Sequence, residues 1–209
     1  MTKTELLKIA KPILFNTDMV RAILDGRKTV TRRVIKFPEG MTGRLSESGA
    51  TDHIFYPGGI KRPLYRTGDI LYVRETWNEY LNNENIEYCY LADIQNITYV
   101  DMDDEPIKWK PSIHMPKSAA RIFLKVTDVR VERLQDITVE QAIKEGFEGI
   151  PCGCSTTGCT DCYDFGWREP PQVGFMYTWD STIKKQDLDE YGWNANPWVW
   201  VYEFERIEI

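Results

Sequence analysis

The sequence predicts an α+β fold in which many short strands and few helices form a small closed barrel or strongly curled sheet. Three observations carry that expectation. First, RIFLKVTDVRVERL (Arg121 to Leu134) and NPWVWVYEFERIEI (Asn196 to Ile209) are long runs rich in β-branched and aromatic residues. Second, helical spacing is confined to stretches near 17–25, 136–146 and 172–185. Third, 209 residues suffice for one sizeable core, so the chain reads as a single domain, 1–209, with insertions at about 36–63 and 148–171.

Taken in order, PILFN at 12–16 reads as a short buried strand. Asn16 or Thr17 can cap a helix carrying Met19, Val20, Ile23 and Leu24, and Gly26 ends it. From Lys36 to Pro63 the composition turns to Gly, Pro, Ser and charge, as in a surface excursion. RTGDILYVRETW, Arg66 to Trp77, is a turn and a strand, and 86–91 and 97–100 are further short strands. Pro111 and Pro116 make 112–120 a loop. A bend is expected near Asp128 in the long strand that follows. Thr138 and Gln141 form a capping box for a helix whose buried stripe is Val139, Ala142 and Ile143, with Gly146 as terminator. Gln172 to Lys185 suits an amphipathic helix through Phe175, Met176 and Trp179. In the final strand, Trp198, Trp200, Tyr202 and Phe204 share one side.

A composition of 42% hydrophobic and 28% charged residues is that of a globular chain rather than a disordered one. The net charge of −6 argues against coating nucleic acid by bulk electrostatics, although a local basic cleft fits it. No run approaches the length of a membrane span and the N-terminus has no signal-peptide pattern, so the expected location is the cytosol. There the five cysteines read as metal ligands or thiols before disulfides.

The stretch with most chemistry is GRKTVTRR, Gly26 to Arg33. Its cations supply fixed donors, and threonine hydroxyls donate, accept or attack, which suits an anion or a polar planar ligand. The plain alternative is a solvated edge strand. In a straight strand Lys28 and Thr31 would point to opposite faces, so a shared site requires a bend after Gly26.

PILFNTDMVRAILDGRKTVTRR, TGDILYVRETW, RIFLKVTDVRVERLQDITVEQAIKEGF and NPWVWVYEFERI together resemble the ASCH domain family, in particular the long forms of phages and prophages. The resemblance implies a PUA-like small β-barrel with flanking helices and a cleft for RNA or nucleotides. Some small ASCH proteins are amidohydrolases that deacetylate N4-acetylcytidine through a lysine, a threonine and a glutamate. Matched by motif, these fall on Lys28, Thr31 and Glu145. Chemically, the threonine needs a base, and a lysine serves only with its pKa lowered by burial or by cations such as Arg27, Arg32 and Arg33. Glu145 would orient the lysine or pass a proton to the leaving amine. By helical periodicity alone, Glu145 lies off the apolar stripe and reads as solvated.

Cys152, Cys154, Cys159 and Cys162 form CxCx4CxxC, which suits structural zinc, with thiols and disulfides as alternatives. No organic cofactor is expected. The expected partner is RNA or a nucleoside, held in a cleft floored by Lys28, Thr31 and Arg33 and edged by Arg74, Glu75 and Glu145. The enzyme reading is amide hydrolysis at an N4-acylated cytidine. Nuclease chemistry is least supported, since neither a catalytic histidine pair nor an acidic metal cluster is legible.

Overall fold

A computed structural model describes residues 1–45, 52–82, 85–94, 108–152 and 167–209. In chain order the elements are α1 (Lys3–Ile9), β1 (Lys11–Leu14), α2 (Thr17–Leu24), β2 (Val30–Val34), β3 (Ile54–Tyr56), β4 (Gly59–Lys61), β5 (Ile70–Arg74), β6 (Trp77–Asn82), β7 (Asn85–Tyr90), β8 (Phe123–Arg133), α3 (Val139–Lys144), β9 (Ile150–Pro151), β10 (Trp167–Glu169), α4 (Pro171–Thr182), α5 (Leu188–Tyr191) and β11 (Trp198–Ile207). The fold is α+β with a mainly sheet core.

The principal sheet has the order β1-β5-β8-β11-β2. The expected closed barrel is not found among the described residues: β1 and β2 are the two ends of an open order, and the remaining strands form separate two-stranded pairs. β1 runs parallel to β5 in register Ile13 to Val73, and β11 runs antiparallel to β2 in register Tyr202 to Thr31.

The chain divides into two compact units: residues 1–26, 68–126 and 204–209 form one, and 27–67 and 127–203 the other. In the first, Leu6, Tyr72, Trp77, Tyr90, Met115 and Phe123 form the core. Asn16 caps α2 by accepting from the Met19 N–H at 2.9 Å, and Gly26 ends that segment at φ 74°.

In the second unit, Val30, Leu134, Ile137, Ala142, Phe175, Trp179, Val199 and Val201 form the core. The Thr138/Gln141 capping box is present, and α3 stops at Lys144. The 36–63 excursion contains the β3–β4 hairpin and a fully buried Ile54. The final strand is buried on both faces, since Val199, Trp200, Val201 and Tyr202 are all in the core. Along β8 the burial alternation slips at Thr127 and Asp128, which are both exposed, so Val129 and Val131 continue out of phase with Leu124 and Val126. The slip falls where the sequence suggested a bend.

The stretch 97–100 and Cys154, Cys159 and Cys162 lie outside the described residues. No helix of the described residues is long and apolar enough to cross a membrane.

Candidate functional site

The second unit gathers Lys28, Thr31, Arg32 and Glu145, all buried. Local structure explains how. Lys28 precedes β2 and pairs with Glu145 through an isolated antiparallel bridge, and Thr29 N–H donates to Lys144 C=O at 2.8 Å. β2 itself begins at Val30 and pairs with β11. Lys28 therefore lies just outside the regular strand, whose alternation begins at Val30.

Glu145 is the C-cap of α3, one residue past the regular helix, with its N–H donating to Gln141 C=O. The solvated position expected from helical periodicity is thereby corrected. Glu145 is 3% exposed, whereas Ile143, expected in the buried stripe, is 44% exposed. Gly146, at φ 95°, turns the chain immediately afterwards.

Lys28 Nζ donates to Glu145 Oε2 at 2.5 Å and to the Glu145 carbonyl at 2.9 Å. The other carboxylate oxygen, Oε1, accepts from Arg32 Nη1 at 3.1 Å. Arg32 Nη2 also donates to Gln141 Oε1 at 2.8 Å and Glu132 Oε2 at 3.0 Å. Burial holds the Lys28 ammonium below the ordinary lysine range; Glu145 opposes that shift, and Arg33 and Arg32 add to it.

Arg33, two residues on from Thr31 and on the same side of β2, donates through Nη1 to Thr31 Oγ1 at 2.8 Å. Since a guanidinium has no acceptor, the threonine's own proton is directed elsewhere. Arg33 is half-buried, and burial lowers its pKa against the pull of Glu145, Tyr65 and Tyr202. Tyr202 pairs with Thr31 across the strands and meets the Tyr65 ring edge-on at 5.2 Å; burial pushes its hydroxyl up to about 12. Arg27 is exposed and donates to Gly146 C=O at 3.1 Å.

Arg74 and Glu75 belong to the first unit, where they have their own partners. Arg74 donates to Ile113 C=O. Glu75 is 1% exposed and takes Arg121 on both oxygens at 2.9 Å, while Arg121 lies 3.9 Å from the Tyr90 ring centroid. Burial raises the Glu75 pKa, opposed by Arg121. Of the cysteine motif, only Cys152 is described, and it is half-buried. Of the aromatics considered for base stacking, Trp77, Trp179, Trp200 and Tyr202 are core residues.

Glu132, Gln141 as a side-chain ligand of Arg32, Tyr65 and Tyr202 were not anticipated as part of this cluster. The signal for Glu132 was present: in VRVER, Arg130 and Glu132 alternate with Val129 and Val131, placing opposite charges on one strand face. Tyr65 has no comparable local signature.

Compared with protein-family models, curated proteins and solved structures, the chain gives no match. The ASCH resemblance rests on the motifs quoted above.

Proposed function

We propose that the protein is an ASCH-type amidohydrolase acting on an N-acylated nucleoside of the N4-acetylcytidine kind. The observation that carries this reading is the buried Lys28–Glu145 pair, with burial lowering the proton affinity of Lys28. Lowering the proton affinity raises the share of Lys28 in the neutral form, which is the form that can take a proton. In the proposed reaction Thr31 Oγ attacks the acyl carbonyl carbon as its proton passes to Lys28. The carbon–N4 bond then breaks, N4 takes a proton and leaves as the amine, and water releases the acyl group from Thr31 as the carboxylic acid. Glu145 orients Lys28, and Arg33, already donating to Thr31 Oγ1, favours the oxygen as it gains charge.

The geometry supports this reading over a purely phosphate-binding cleft. Lys28 and Arg32 are buried and engaged by carboxylates, so they are poorly placed to neutralise a polyanion. Binding of RNA or a nucleotide without chemistry is the second reading, favoured by the exposed Arg27 and half-buried Arg33.

Incubation with N4-acetylcytidine, free and within RNA, separates them. The hydrolase reading expects cytidine from wild type and its loss in Lys28→Ala. It fails if wild type releases none, or if Lys28→Ala releases it equally fast. Binding that weakens steeply with salt, without cytidine release, would select the second reading.

A further inference from the structure

The Lys28–Glu145 pair is the inner end of a chain of alternating charges. Beyond Glu145 and Arg32, Glu132 divides its oxygens: Oε2 accepts from Arg32 at 3.0 Å, and Oε1 accepts from Arg130 Nε at 2.6 Å and from Gln141 Nε2 at 3.3 Å. Arg130 Nη1 then reaches Glu203 Oε1 at 2.6 Å and Asp128 Oδ2 at 3.0 Å. Side-chain exposure rises from 0% at Lys28 and Arg32 and 3% at Glu145 to 18% at Glu132, 20% at Arg130 and 31% at Glu203. The chain therefore runs from core to solvent, and Glu132 is the last acidic link before the buried cations.

We propose that Glu132 is a positioning residue for the Lys28–Glu145 pair: by holding Arg32 from behind, it leaves Arg32 with one oxygen of Glu145 and the ammonium with the other. Its catalytic meaning rests on the amidohydrolase reading. Four elements supply the groups involved. Lys28 faces Glu145 at the end of α3 and Arg32 and Arg33 on β2. Glu132 faces Arg32 on β2, Gln141 on α3 and Arg130 on its own strand, and Glu203 on β11 acts through Arg130.

Among the described residues Arg32 Nε is buried with no acceptor, and the hydrogen bonds that hold the guanidinium there are made by its Nη atoms. Among the described residues, removing the Glu132 charge leaves Glu145 as the carboxylate on Arg32 and draws it away from Lys28. The lost negative charge and the displaced carboxylate act in the same direction, so Lys28 gives up its proton at lower pH.

The test is a nuclear magnetic resonance titration of the Lys28 side-chain carbons in the full chain, assigned with Lys28→Arg. Glu132→Gln moves the Lys28 midpoint down, corresponding to about a three- to tenfold weaker proton affinity. Glu203→Gln, which removes the same charge from the outer end, moves it less. A midpoint in folded Glu132→Gln equal to that of wild type, or no lower than that of Glu203→Gln, overturns the proposal.

If Glu132→Gln does not fold, Arg130→Gln frees Glu132 for Arg32 and moves the midpoint up; an unchanged or lower midpoint overturns the proposal equally. In the deacetylation assay, the pH limb belonging to Lys28 follows the same displacement. A wild type that deacetylates nothing removes the amidohydrolase reading, while the titration still decides the positioning role.

Discussion

Replacing Glu145 with Gln leaves two fully buried cations facing a neutral amide. Lys28 loses its carboxylate partner at 2.5 Å and Arg32 loses one at 3.1 Å, and neither side chain has solvent exposure to compensate. Breaking a buried pair in this way costs about 3–5 kcal/mol. For a chain of 209 residues that corresponds to a fall in Tm of roughly 6–20 °C. Lys28→Met differs in kind: the carboxylate keeps Arg32, and a flexible apolar side chain occupies the space, so the expected cost is about 1–2 kcal/mol or less. Urea denaturation and thermal melting at neutral pH, followed by far-ultraviolet circular dichroism, measure both variants. The order is the test. A Lys28→Met loss equal to or greater than that of Glu145→Gln, or losses below about 1 kcal/mol for both, would refute the buried-pair account.

Three further outcomes follow from the same geometry. Lys28 is lowered from 10.5 in the fold, so the unfolded chain holds more protons between the depressed folded value and 10.5; wild-type stability rises with pH across that window, and Lys28→Met loses this rise in denaturation curves taken at stepped alkaline pH. Thr138→Ala removes the capping-box acceptor for the Gln141 N–H and costs about 1 kcal/mol in urea denaturation. Gly146→Ala forces a side chain into φ 95° directly after Glu145 and costs about 1–2 kcal/mol, read as a lowered Tm.

What was legible in the sequence was local. The Thr138/Gln141 capping box, the Asn16 cap, the glycine stop at Gly26 and the aromatic terminal strand depend on neighbours a few residues away, and all are present. Pairings between distant segments were not legible. The parallel match of β1 with β5 joins Lys11 to Leu71, and nothing in either stretch specifies the other. Trp77 begins β6, where it pairs with Tyr90, and no strand was read from the sequence at 77–82. Open sheet order and closed barrel produce the same alternating strands, so patterning did not distinguish them.

The site was legible in composition but not in burial. Lys28, Thr31 and Glu145 were singled out by motif, yet helical periodicity placed Glu145 in solvent because it assumed that the helix continued through it. Ending α3 at Lys144 removes that constraint and turns the carboxylate toward Lys28 and Arg32. Arg32 was named only as one cation among several, since the acceptors that organise it, Glu132 and Gln141, lie about a hundred residues away.

The most direct measurement is the fate of Thr31 during exposure to N4-acetylcytidine. Rapid quenching followed by peptide mass spectrometry, on wild type and on Glu145→Gln, is expected to find an acetyl group on Thr31, with cytidine release absent in Thr31→Ala. Cytidine release that persists in Thr31→Ala, or a wild type in which neither cytidine nor acetylated Thr31 forms, would contradict the proposed chemistry.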